Sequence, residues 1–131
     1  RLQCAADPAN PRRDMCVIFG FRDPAHFAYV HFSASSDEAH NIIAVVDGKD
    51  RVRISVEAPG TSAARLTGKE WHAFKVAFDA ATGGIEAYLD DMQRPVLKAR
   101  DKTFVSGRVG VGSFDDAGSF DDLTLRGIPI K

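Results

Sequence analysis

Residues 71–91 read WHAFKVAFDAATGGIEAYLDD. Before the ATGG segment, His72, Phe74, Val76 and Phe78 recur at every second position. After it, Ile85, Ala87 and Leu89 do the same. Successive side chains of an extended chain point to opposite faces, so each run has one apolar face and one face carrying Trp71, Lys75, Glu86 and Tyr88. A helix would need apolar residues three and four apart, and that spacing is not sustained here. The stretch is therefore two strands joined by a glycine turn.

The same period runs through the rest of the chain. RLQCAA and MCVIFGF read as a first strand pair around a DPANPRRD turn. FAYVHFSA is a third strand, and NIIAVV turns at Asp47-Gly48 into RVRISVEA. Asp-Gly between apolar runs is a strong hairpin signal. A longer polar stretch, PGTSAARLTGKE, precedes residue 71. After MQRPVLKARDKTF come GRVGVGSF and FDDLTLRGI. Short strands at this spacing, without room for crossover helices, predict an all-β, antiparallel sandwich or barrel in one domain spanning residues 1–131. Alternation places Tyr29 and His31 on the face opposite Ala28, Val30 and Phe32. It places Arg51, Arg53 and Ser55 opposite Val52, Ile54 and Val56.

With 17 basic and 18 acidic residues the net charge is -1, which gives no electrostatic pull toward nucleic acid or anionic lipid. No apolar run approaches the roughly 18 residues of a membrane span. No phosphate-binding glycine loop opening a helix and no Gly-x-Ser-x-Gly elbow occurs. The chain has two cysteines, too few for a multi-cysteine zinc site. A hairpin centred near Asn10 would set Cys4 opposite Cys16, where a disulfide is sterically possible. Two buried free thiols are the favoured reading, because cysteine is among the most buried residue types.

WHAFKVAFDAATGGIEAYLDD, followed by TFVSGRVGVGSFDDAGSFDDLTLRG, resembles the closing strands of concanavalin A-like lectin/glucanase domains, and FGFRDPAHFAYVHF resembles an earlier strand pair of that superfamily. The likeness covers about residues 14–127 and is nearest to laminin-G-like and putative 3-keto-disaccharide hydrolase-like bacterial members. It implies a jelly-roll sandwich, and a fold that hosts lectins, hydrolases and adhesion modules alike. The glucanase strand with Glu-x-Asp-x-x-Glu has no counterpart here.

The function expected from this reading is a carbohydrate-binding or accessory domain that holds a glycan without catalysis. Aromatic faces stack on sugar rings while polar groups bond the hydroxyls, and Tyr29, His31, Arg53, Trp71 and Tyr88 are the candidate ligand-binding residues. Arginines would also suit an acidic sugar, since guanidinium binds carboxylate in two-pronged fashion. The alternatives are a glycoside hydrolase using Asp23, Glu86 or Asp90, or a laminin-G-type protein-interaction module. The expected partners are a glycan or polysaccharide, with no nucleic acid, no membrane insertion, and an additional domain in the parent chain as an open option. The expected location is extracellular or periplasmic. No cofactor is required; Ca2+ is an option because GSFDDAGSFDD (112–122) is rich in carboxylates, and the resemblance implies Asp121 and Asp122 as its ligands. The leading reading of that segment is a hairpin whose aspartates cap backbone amides while Phe114 and Phe120 fill the core edge.

Overall fold

A computed structural model describes residues 1–57 and 65–130; the early part of the polar stretch at 59–70 lies outside the described residues. The described chain is all-β and antiparallel. Its strands are β1 (Leu2–Cys4), β2 (Asp14–Asp23), β3 (His26–Ser33), β4 (Ile42–Asp47), β5 (Val52–Arg53), β6 (Val56–Glu57), β7 (Phe74–Asp79), β8 (Gly84–Leu89), β9 (Leu97–Arg100), β10 (Arg108–Gly112) and β11 (Gly118–Phe120).

One sheet has the order β10-β2-β3-β4-β5, and the other β6-β9-β8-β7. β1 pairs with β11, and Leu2 bridges His72 through two backbone bonds of 2.9 and 2.8 Å, which extends the second sheet past β7. The expected turns at Asp47-Gly48 and ATGG close β4 on β5 and β7 on β8, with Gly48 and Gly83 in the left-handed region.

The two sheets face each other across one apolar layer. Val17, Phe19, Ala28, Val30, Phe32, Ile43 and Val45 come from the first; Ile85, Ala87, Leu89 and Leu97 come from the second. Phe19 meets Phe78 at 5.6 Å and Phe32 meets Phe74 at 6.5 Å between ring centroids. The sandwich follows from alternation: a strand with one apolar face is stable when that face is covered, and each fully buried Val, Ile or Phe contributes roughly 1.5–3 kcal/mol. At the β2–β10 edge the two backbones touch. A Cβ on Gly107 would lie 2.4 Å from the Gly20 carbonyl carbon, and the β10–β2 register shifts beside it.

Several expectations are corrected. β1 and β2 do not form a hairpin; they lie in different sheets. Cys4 accordingly faces the inter-sheet core while Cys16 faces outward, and both thiols are free and buried. The segment 113–117 is not a hairpin turn either. It leaves the first sheet at β10 and enters the second at β11. The last strand stops at Phe120, and Leu123, Leu125, Ile128 and Ile130 beyond it are exposed. Ser55 is buried, its hydroxyl accepting a bond from the Ile43 amide at 2.8 Å, whereas Val52 on the short edge strand is 48% exposed. β9 lies in a stretch whose apolar alternation is too weak to mark it, and it is held by pairing with β8.

Candidate functional site on the outer face of the five-stranded sheet

Strand register sets the site. Cys16 in β2 sits opposite His31 in β3, which sits opposite Ile42 in β4. The next row is Ile18, Tyr29, Ala44 and Arg53. Directly paired residues share a face, and Met15, Val17 and Phe19 fill the other side of β2, so these rows point away from the inter-sheet core. Asp14, two residues before Cys16, joins them.

This outer face is covered. Cys16, Tyr29, Ile42 and Ala44 form a second buried cluster, flanked by Ile18, Phe27 and Val46. The crossing segment supplies a lid: the Phe114 ring lies 5.3 Å from Tyr29 and 5.7 Å from His31, with the Arg51 guanidinium 5.7 Å over it. Two bonds fasten the lid. The Phe114 amide donates to Asp14 Oδ2 at 2.8 Å, and the Asp14 amide donates to Asp116 Oδ2 at 2.8 Å. The Ser113 hydroxyl donates to the Asp116 carbonyl.

Asp14 is the hub beneath. The Cys16 thiol donates to its Oδ2 at 3.3 Å, and His31 Nε2 lies 3.4 Å from the same oxygen. Burial works to raise the Asp14 carboxyl, but the bonds from His31 and the Phe114 amide prevail and hold it well below the usual carboxylate range. Burial, aided by the Asp14 charge, pushes the Cys16 thiol far up, so it is a neutral thiol rather than a nucleophile. Asp116 is pushed up by its own burial and by Asp14. The Asn41 amide donates to His31 Nδ1 at 3.4 Å, which leaves the proton of a neutral ring on Nε2, facing Asp14. The Tyr29 hydroxyl is buried with no hydrogen-bond partner among the described residues, and burial pushes its phenol up, with Arg51 nearby acting in the opposite direction.

At the rim, the His40 ring stands 5.4 Å from His31, and its Nδ1 lies 2.8 Å from Asp37 Oδ1. Bonds from the Ala39 amide and from His40 lower the Asp37 carboxyl. Arg53 reaches Glu38 at 2.9 Å, but the Glu38 side chain is 87% exposed, so the pair is weak and easily exchanged for another anion.

The five expected ligand-binding residues are divided between two faces. Tyr29, His31 and Arg53 share this site, the first two buried (0% and 4% exposed) rather than open to solvent. Tyr88 is on the outer face of the other sheet, where its hydroxyl bonds Glu86 at 3.1 Å and Lys75 Nζ lies 3.8 Å from its ring. Trp71 is at the end of that sheet with Arg1 over its ring. Asp121 and Asp122 both face the Arg1 guanidinium, at 3.2 and 3.0 Å. The carboxylates weighed for hydrolysis do not converge. Asp23 bonds His26 in the β2–β3 turn, and Asp90 bonds His72 at 2.7 Å. Glu86 bonds the Tyr88 hydroxyl on the outer face of β8, whereas Asp90 follows the end of that strand in a left-handed conformation and is turned to His72.

Asp14, His40 and Phe114 were missed from sequence. The alternation of DMCVIF does put Asp14 and Cys16 on the His31 side of the sheet, but nothing local shows that Phe114 returns to cover them. No protein-family model, no curated protein and no solved structure matches the chain.

Proposed function

We propose that this protein is a non-catalytic carbohydrate-binding domain of concanavalin A-like, jelly-roll type, and that its glycan-binding surface is the Arg51–Phe114 face of the five-stranded sheet. The observation that carries the reading is the Arg51 guanidinium set 5.7 Å from the centre of a Phe114 ring that is 51% exposed. An aromatic face open to solvent stacks on the C–H side of a sugar ring, and a guanidinium beside it bonds a carboxylate or sulfate substituent. Arg53 and His40 border the same surface and supply further donors. Tyr29 and His31 act from below, fixing the plane of Phe114 rather than touching sugar. An acidic glycan is thus the favoured ligand class, bound in the periplasm or outside the cell.

The test is a binding screen of uronic-acid-containing, sulfated and neutral oligosaccharides, run in calcium and again with a chelator. Binding of acidic sugars that is lost in Arg51→Ala and Phe114→Ala, and kept in Tyr88→Ala and Trp71→Ala, is the expected result. Binding that follows Tyr88 and Trp71 instead moves the site to the other sheet. Absence of binding in both buffers overturns the reading.

A further inference from the structure

We propose that Asp14, Cys16 and His31 form a binding site for a divalent cation of the zinc class, within the buried layer beneath Phe114. The inference does not rest on glycan binding.

One carboxylate, one thiol and one imidazole converge here. Among the described residues they are the one trio of Asp, Glu, His and Cys side chains whose potential ligand atoms all lie within 4.8 Å of one another. The donor set is of the borderline-soft kind that zinc and cobalt take, and hard calcium or magnesium does not. Tetrahedral zinc with its usual bond lengths puts neighbouring N and O ligands about 3.3 Å apart, and S and O ligands about 3.6 Å apart. The observed separations are 3.4 Å from His31 Nε2 to Asp14 Oδ2 and 3.3 Å from Cys16 Sγ to that oxygen. The ligands stand on paired strands, Cys16 directly opposite His31, so ordering the site costs little side-chain entropy.

Charge points the same way. Asp14 is 2% exposed, and its Oδ2 already gathers the Cys16 thiol at 3.3 Å, the Phe114 amide at 2.8 Å and His31 Nε2 at 3.4 Å, so a buried carboxylate stands where a cation would be received. Binding of M2+ removes the Cys16 thiol proton and takes His31 through an Nε2 that carries no proton, since thiolate and neutral imidazole are the ligand forms. The thiol proton leaves to solvent, and the two anionic ligands balance the two positive charges. The 3.4 Å contact from the Asn41 amide to Nδ1, near the limit of a hydrogen bond, is given up. Three protein ligands leave a fourth position for water.

The experiment uses the full chain, stripped with a chelator and titrated with Co2+. One equivalent should produce a thiolate-to-cobalt charge-transfer band with visible tetrahedral bands, displaced by Zn2+, with protons released on binding. Cys16→Ala should abolish the band. Cys4→Ala should keep it, because Cys4 is on the opposite side of the sandwich wall. Far-UV circular dichroism checks that each variant is folded. If Cys16→Ala does not fold, X-ray absorption of the zinc-loaded wild-type chain decides: one sulfur at about 2.3 Å supports the site, and a shell of only oxygen and nitrogen overturns it. No cobalt band, or a band that survives Cys16→Ala, also overturns it.

Discussion

Replacing Phe114 with alanine measures how much the crossing segment contributes by covering the outer face of the first sheet. The ring is 51% exposed, so about half of its area is withdrawn from water. With an aromatic side chain of about 200 Å², that is about 100 Å², or about 2.5 kcal/mol at 25 cal/mol per Å². The area is taken against an extended unfolded chain, so the figure is an upper one. Contacts with Tyr29 at 5.3 Å and His31 at 5.7 Å add about 0.5–1.5 kcal/mol beyond area. The main-chain bond from residue 114 to Asp14 survives the substitution, because the amide is unchanged. The expected loss is therefore about 2–3 kcal/mol, read as a lower urea midpoint at unchanged slope. Phe114→Leu should recover about half of it, and a double-mutant cycle with Tyr29→Leu should show coupling of about 1 kcal/mol. A loss below about 0.5 kcal/mol, or no coupling to position 29, would refute the lid: the ring would then be a surface side chain that covers nothing.

Three further outcomes follow from the same geometry. Tyr29→Phe should leave stability unchanged or raise it by about 1 kcal/mol, because it removes a buried hydroxyl without a partner; a loss of more than 1 kcal/mol in urea would show that Arg51 satisfies it. Gly107→Ala should cost about 2 kcal/mol or more, since the three atoms nearest the added Cβ are backbone, at 2.4–2.7 Å, from a residue at φ 148°; an unchanged thermal midpoint contradicts that contact. A thiol reagent should label neither cysteine in the native chain and both in denaturant, as each is 2% exposed; rapid native labelling would mean that β1 or the lid opens readily.

Alternation made the fold class readable, since Val30 and Phe32, or Ile85 and Leu89, tell their faces apart without knowledge of any partner. Partnership is another matter. RLQCAA and MCVIFGF lie on either side of a good turn, yet Leu2 bonds His72 and β2 bonds β3 and β10, because pairing is decided by which buried face is left to cover. GSFDDAGSFDD likewise has the composition of a hairpin but serves as a crossing. Its Asp116 caps the Asp14 amide, 102 residues away, instead of a neighbour within the turn. The candidate site was half legible for the same reason. Period two puts Tyr29, His31 and Arg53 on a side, but it is silent on what lies over that side. The division of the aromatic candidates, with Tyr88 and Trp71 on the second sheet, needed the strand order.

β1 makes its backbone bonds to residue 72 and to residues 118–120, and the Arg1 guanidinium reaches Asp121. On a ribosome adding about 5–20 residues per second, the first strand emerges several seconds before its partner strand exists. Until then Leu2 and Cys4 have no finished sheet to join, and the Phe114 lid over Asp14 is also unmade. Closing loops of more than 100 residues costs entropy before any contact returns it, so the pairing of β1 with β11 is expected late in folding, which pulse-labelling hydrogen exchange at residues 2–4 would check. Synthesis order and assembly order run in opposite directions for β1: it is made well before residues 118–120, yet it is secured only once they have been added.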